Sequence, residues 1–352
     1  MLRALTLTLL LCLAAAAPAR AAVPRDWLGV AVDGPVIEGG PEYAAEWPMM
    51  AGTGVSTVRV GFYWTQGQRL APGPVDFAAY DDTVLAAARE GIAVLPVVFY
   101  APRWARIDSD DVASPPRDPA DYAAFLSALV GRYGPQGSLW AEHPEVAPRP
   151  IRAWQMWNEP NLRGYWSQQP FAKHYVALIK AARSALKAAD PGSRAILAGL
   201  PNGWAALRQI YRAGGRSAFD VAAIHPYTAR PERVPRFLRE ARRVMRRFGD
   251  RRKSLWVTEL SWPAAKGKVR DPIGIATTER GQARRLALGL TALARARRSL
   301  RVARVYWYTW LSAESDESVF AWSGLRRLRS DGSVVSARSL KAFRRTARRL
   351  RR

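Results

Sequence analysis

The chain has 352 residues, with 54 Lys and Arg against 29 Asp and Glu, a formal net charge of +25 and one cysteine. That cysteine, Cys12, falls in the N-terminal stretch, so the remainder carries neither a disulfide nor thiol chemistry. Beyond that stretch no run is long and apolar enough to span a bilayer, and the charge excess reads first as arginine on ordinary solvated helix faces and second as a surface for anionic partners such as cell-envelope polymer or acidic polysaccharide.

Met1-Leu2-Arg3, an apolar run from Leu5 to Ala17 and then Ala19-Arg20-Ala21 read as a secretory signal peptide over residues 1–21. Cleavage after Ala21 or Ala22 removes two cations and no acid, so +25 becomes +23. The roughly 330 residues left fit one barrel domain. The expected product is a secreted monomer, extracellular or envelope-associated, with no transmembrane segment and no nucleic-acid partner.

Short β-branched apolar runs then alternate with longer alanine-rich stretches of helical period. The strands are expected at Trp27–Val32, Ser56–Tyr63, Ala93–Tyr100, Arg152–Asn158, Ala195–Leu200, Val221–His225, Leu255–Glu259 and Ala303–Trp310. Eight strand–helix units predict an α/β chain folded as a single (β/α)8 TIM barrel over residues 22–352, whose sites gather at the C-terminal strand ends.

In the second strand, Val58-Arg59-Val60 places a charge inside an apolar run. An unpaired charge there is costly, so Arg59 is expected to point into the barrel toward a carboxylate. After the third strand, Asp118-Pro119-Ala120-Asp121 supplies an N-cap, a first-turn proline and a first-turn acid. Tyr122, Phe125, Leu126, Leu129 and Val130 follow as an apolar stripe, and Gly134 ends the helix.

The fourth strand ends in Trp157-Asn158-Glu159-Pro160-Asn161 and the seventh in Trp256-Val257-Thr258-Glu259. Two carboxylates at the tips of two parallel strands suit glycosidic bond cleavage, one delivering a proton and the other attacking the sugar. His225-Pro226-Tyr227 closes the sixth strand; of three histidines in the chain, this one alone sits at a strand end. Tryptophans crowd the same ends, and Trp64, Trp104, Trp262 and Trp310 are the expected stacking platforms for sugar C–H faces. Trp307 and Trp310 cannot both point inward, because alternate side chains face opposite ways.

Two acidic clusters, Asp108-Ser109-Asp110-Asp111 and Glu314-Ser315-Asp316-Glu317, lack the spacing and glycine of a calcium loop and read as loop caps or rim contacts. With no P-loop, dinucleotide fingerprint or nucleophile elbow, no metal or organic cofactor is expected. At the C-terminus, eight of the fifteen residues from Arg338 to Arg352 are Lys or Arg. Leu340, Phe343, Ala347 and Leu350 repeat there at helical spacing, so the segment reads as the eighth barrel helix with a basic outer face.

Asn158-Glu159 and Glu259 resemble the signature of glycoside hydrolase clan A. Trp-Asn-Glu-Pro-Asn, Thr-Glu-Leu-Ser-Trp and Tyr-Trp-Tyr-Thr-Trp are most similar to family 39, including exopolysaccharide-cleaving endoglycosidases, with family 5 cellulase-like enzymes next. The resemblance covers essentially the whole mature chain. It implies a retaining β-glycosidase with Glu159 as general acid/base and Glu259 as nucleophile, their carboxyl groups about 5 Å apart. It further implies that Arg59 holds Glu259 ionised, Tyr227 hydrogen-bonds Glu259, His225 contacts sugar, Asn158 bonds the sugar 2-hydroxyl and Trp310 lies beneath the bound sugar. Three alternatives stay open: a carbohydrate-binding barrel without turnover, an envelope-binding protein whose basic surface is its function, and a transglycosylase using the same glutamates.

Overall fold

Eight parallel strands close on themselves in the computed structural model, which describes residues 22–38, 40–70, 72–201 and 203–352. The expected leader over residues 1–21 lies outside the described residues. The strands are β1 (Leu28–Val32), β2 (Thr57–Tyr63), β3 (Ala93–Phe99), β4 (Ala153–Met156), β5 (Arg194–Leu197), β6 (Val221–His225), β7 (Ser254–Val257) and β8 (Val302–Trp307). Each pairs with its sequence neighbour, β8 pairs with β1 through Gly29 and Tyr306, and β5 meets β6 through Ile196 and Val221. This is the expected (β/α)8 barrel.

Eight helices wrap it in alternation: α1 (Glu46–Thr53), α2 (Ala78–Arg89), α3 (Pro119–Tyr133), α4 (Ala172–Ala189), α5 (Trp204–Arg212), α6 (Val234–Arg247), α7 (Glu279–Leu300) and α8 (Arg338–Leu350). In α3 the anticipated grammar is present. Asp118 Oδ1 accepts from Ala120 N at 2.8 Å, and Tyr122, Phe125, Leu126, Leu129 and Val130 are all buried. Each such side chain contributes roughly 1.5–3 kcal/mol on burial. None of the eight, nor any other described helix, is long and apolar enough to cross a membrane.

Alternate strand residues face inward. Below the mouth of the barrel, Leu95, Ile196, Val221, Ala223, Trp256 and Tyr306 form an apolar plug. One step farther along, the interior turns polar with Arg59, Gln155, His225 and Thr258, all buried. That change of character puts the chemistry at the C-terminal mouth.

Between β8 and α8 the chain builds a small sheet that the sequence pattern did not reveal: β9 (Leu311–Ala313) parallel to β10 (Arg326–Leu328), which is antiparallel to β11 (Val334–Ser336). Strands of three residues are too short to show a period. The charge is also unevenly spread. Helices α6, α7 and α8 carry six Arg or Lys each and only Glu240 and Glu279 as acids, whereas α1 to α5 share eight cations and four acids.

Candidate active site

A cavity of about 570 Å³ opens at the C-terminal end of the barrel, lined among others by Asp33, Arg59, Asn158, Glu159, His225, Tyr227 and Glu259. Its size falls within the usual range for small-molecule sites.

The end of β4 explains how two consecutive side chains, Asn158 and Glu159, both reach this space. A regular strand would send them to opposite faces. Here Trp157 has φ 72° and Glu159 φ 41°, left-handed conformations that a side chain adopts at a cost of about 1–3 kcal/mol each. Trp157 turns outward instead, donating Nε1 to Tyr165 O at 2.7 Å. Strain of this kind collects at functional sites.

Arg59 lies at the centre. Its guanidinium donates to Glu259 Oε1 (2.7 Å), Asn158 Oδ1 (2.8 Å) and Gln155 Oε1 (2.7 Å), so the expected inward carboxylate partner is Glu259. Tyr227 Oη donates to the other Glu259 oxygen at 2.7 Å. His225 Nδ1 lies 2.6 Å from Glu159 Oε1 and 3.5 Å from Glu259 Oε2. One oxygen of each glutamate and a ring nitrogen of His225 all lie within 4.8 Å of one another.

These surroundings push the two carboxyls apart in acidity. Burial raises the Glu159 pKa, and the nearby Glu259 charge adds to this against the opposing pull of His225 and Arg59. Burial would raise Glu259 too. There the polar Nδ1 edge of the His225 ring, the Arg59 guanidinium and the hydrogen bonds from Tyr227 and Arg59 oppose it and hold the carboxyl below its ordinary range. Glu159 is thus the weaker acid of the two and Glu259 the stronger.

Among the described residues, Glu159, His225 and Glu259 are the one group spaced to hold a metal ion. Most of their donor atoms are already taken: both Glu259 oxygens and Glu159 Oε1 have protein hydrogen-bond partners, and both His225 nitrogens face protein groups. The Arg59 guanidinium would also repel a cation. The set suits a hydrogen-bonded proton-transfer cluster better than a cation cage.

Not every residue singled out from sequence reaches the cavity. His225 lines it, but with both nitrogens engaged by Glu159 and Thr258 the ring orients the carboxyl rather than offering a nitrogen to sugar. The four expected tryptophan platforms are corrected, since none lines the cavity. Trp310 is fully buried under α1 with Nε1 on Glu46 Oε2 (2.7 Å), because β8 ends at Trp307 rather than at Trp310. Trp64 is buried and stacks on Phe125, and half-buried Trp104 donates to Gln68 O. Trp262 is buried in a notch over Gly289, where an added Cβ would lie 2.4 Å from its ring.

The aromatic walls come from Tyr63, Phe99, Tyr100 and Tyr165 on one side of the chain order and Tyr227, Tyr308 and Phe320 on the other. Tyr227 was expected there from sequence; Asp33, immediately after β1, was missed. It accepts from Thr309 Oγ1 at 2.6 Å, and burial pushes its carboxyl up against that hydrogen bond. A lone acid after a short strand reads as a turn residue, so only its place at a strand tip could have flagged it. The acidic clusters behave as caps: Asp108 and Asp111 accept from backbone N–H groups two residues on, and Glu314 pairs with Arg327 at 3.0 Å.

No family model matches the chain, and no curated protein matches it in sequence. Solved structures do. A family 39 glycoside hydrolase from the gut symbiont Bacteroides cellulosilyticus superposes with TM-score 0.70 at 23% identity, over 94% of this chain and 64% of that one. A monomeric beta-xylosidase from Caulobacter crescentus gives 0.67 at 17% identity, over 92% and 68%. A glucosidase from Croceicoccus marinus gives 0.66 at 15% identity, over 93% and 68%. The chain therefore spans less than two thirds of the first of these proteins. At such identities the likeness establishes the barrel fold that these glycoside hydrolases share.

Proposed function

We propose that the protein is a retaining β-glycosidase acting on an oligosaccharide or polysaccharide. The observation that carries this reading is the pair of buried glutamates whose oxygens approach within 4.8 Å across one cavity, in surroundings that raise the pKa of Glu159 and lower that of Glu259. Retaining enzymes hold their carboxyl groups about 5–5.5 Å apart, whereas inverting enzymes need about 6.5–9.5 Å for an intervening water.

In this mechanism Glu259 attacks the anomeric carbon while Glu159 protonates the leaving oxygen. The glycosyl ester removes the Glu259 charge, Glu159 loses one of the influences raising its pKa, and as a base it then activates water. Asn158 presents its amide to the cavity in a defined sense. Its Oδ1 is held by Arg59, a donor only, so Nδ2–H is left for a sugar hydroxyl. The xylosidase and glucosidase among the structural neighbours favour neutral β-linked sugars as first substrates to try. Glu259→Ala should lower turnover by several orders of magnitude with folding intact. A polysaccharide panel read by product length then separates endo from exo action, and unchanged turnover in Glu259→Ala would overturn the reading.

The expected leader supports export, tested by sequencing the N-terminus of the secreted protein. The charge asymmetry of α6 to α8 favours a second role, weak attachment to an anionic envelope polymer. Such attachment should weaken with salt and survive Glu259→Ala; binding indifferent to salt would argue against it.

A further inference from the structure

Three polar side chains in the barrel interior, Gln155, Thr258 and His225, connect Arg59 to Glu159 by four hydrogen bonds whose directions can be assigned one after another. Arg59 has only donors, so the Gln155 atom 2.7 Å from its Nε is the amide oxygen. Gln155 Nε2 then faces Leu197 O at 3.0 Å and Thr258 Oγ1 at 3.4 Å. Leu197 O is acceptor-only, so both ends of the amide require the same orientation. Thr258 Oγ1 accepts from Gln155, and its own hydrogen has one acceptor within reach among the described residues, His225 Nε2 at 3.0 Å. Thr258, Gln155 and His225 are each 0% exposed, so bulk solvent does not supply an alternative partner.

An Nε2 that accepts leaves the ring proton on Nδ1, which faces Glu159 Oε1 at 2.6 Å. Oε1 is then an acceptor, and the proton of the acid form resides on Oε2. We propose that Gln155 and Thr258 are positioning residues that fix His225 as the Nδ1–H tautomer and so direct the acid proton of Glu159 onto Oε2. This deepens the glycosidase reading and rests on it for its catalytic consequence, whereas the tautomer itself does not depend on any substrate. The same arrangement links the two carboxylates: the guanidinium that pairs with Glu259 also sets the amide that begins the chain to Glu159.

The chain holds three histidines, so the ¹⁵N-histidine spectrum of the full-length protein contains three ring systems to assign. At neutral pH, His225 should show protonated Nδ1 and an unprotonated, hydrogen-bonded Nε2. Thr258→Val, close to isosteric but without a hydroxyl, should lose that single signature and mix the tautomers. Signals of His143 and His174, unchanged, would report intact folding. Thr258→Ser should restore the wild-type pattern. With whichever β-glycoside the protein turns over, kcat should fall about five- to tenfold in Thr258→Val at unchanged KM and recover in Thr258→Ser, in line with loss of one buried hydrogen bond. An Nε2–H tautomer or an imidazolium in the wild type overturns the proposal, as does a Thr258→Val spectrum identical to wild type. Failure to find a substrate would bear on the glycosidase reading and leave the spectroscopic result decisive for the tautomer.

Discussion

Gly199 is where a single methyl group should do the most damage to the site. It follows β5 just where the His225 ring passes, and a Cβ built there would lie 1.8 Å from Nε2 and 2.3 Å from Cε1. Ordinary contacts need about 3.5–4.0 Å, so the ring must retreat by roughly 1.5–2 Å. That retreat breaks the contacts of Nδ1 with Glu159 (2.6 Å) and of Nε2 with Thr258 (3.0 Å). Each buried group left without its partner costs about 1–3 kcal/mol, so Gly199→Ala should destabilise the fold by about 2–6 kcal/mol. Turnover should fall by about 100-fold, the usual consequence of a catalytic group displaced by an ångström or more. Gly131 is the internal control: it is exposed, lies within α3, and a Cβ there meets nothing within 4 Å. Gly131→Ala should stabilise by about 0.5–1 kcal/mol through helix propensity, with activity unchanged. Denaturant unfolding and steady-state kinetics on both variants provide the comparison. Gly199→Ala with wild-type stability and turnover would refute the reasoning about the packed ring.

Arg59→Met should cost about 3–5 kcal/mol, the effect of leaving a buried charge without its partner. Because Arg59 lowers the pKa of both glutamates, its loss raises both. The acidic limb of kcat/KM, where falling pH protonates Glu259, should therefore move to higher pH, and the basic limb, where rising pH deprotonates Glu159, should move the same way. Limbs that stay in place would show that the guanidinium does not govern either carboxyl. Trp310→Phe removes the indole donor to buried Glu46 while keeping an aromatic ring. Thermal unfolding should reveal a loss of about 1–3 kcal/mol with KM unchanged, and a large rise in KM would return Trp310 to the sugar site.

Much of this organisation was legible in the chain because the informative residues violate their local pattern. Arg59 is a charge within Val-Arg-Val, and Glu159, His225 and Glu259 each end an apolar strand. Strand period, desolvation cost and barrel geometry then place all four at one mouth. Gln155 sits in an equally apolar strand, yet an uncharged amide carries a weaker desolvation signal, and Thr258 is an ordinary strand residue by type. Their importance follows from partners that only the closed barrel supplies. The tryptophans failed for a related reason. Side-chain direction beyond the last regular residue of a strand depends on backbone turns, such as the left-handed Trp157 and the early end of β8 at Trp307, that alternation does not encode. Phe320 reaches the cavity from the turn beside the β9–β11 sheet, an insertion without periodic pattern.

The most direct test is to trap the covalent species. Aryl 2-deoxy-2-fluoro-β-glycosides of xylose and glucose, chosen for slow breakdown of the glycosyl ester, should leave one sugar mass on the peptide containing Glu259, and the first product released from an ordinary aryl glycoside should keep the β configuration by NMR. A label on any other carboxylate, or a first product of inverted configuration, would contradict a double displacement at this pair of glutamates.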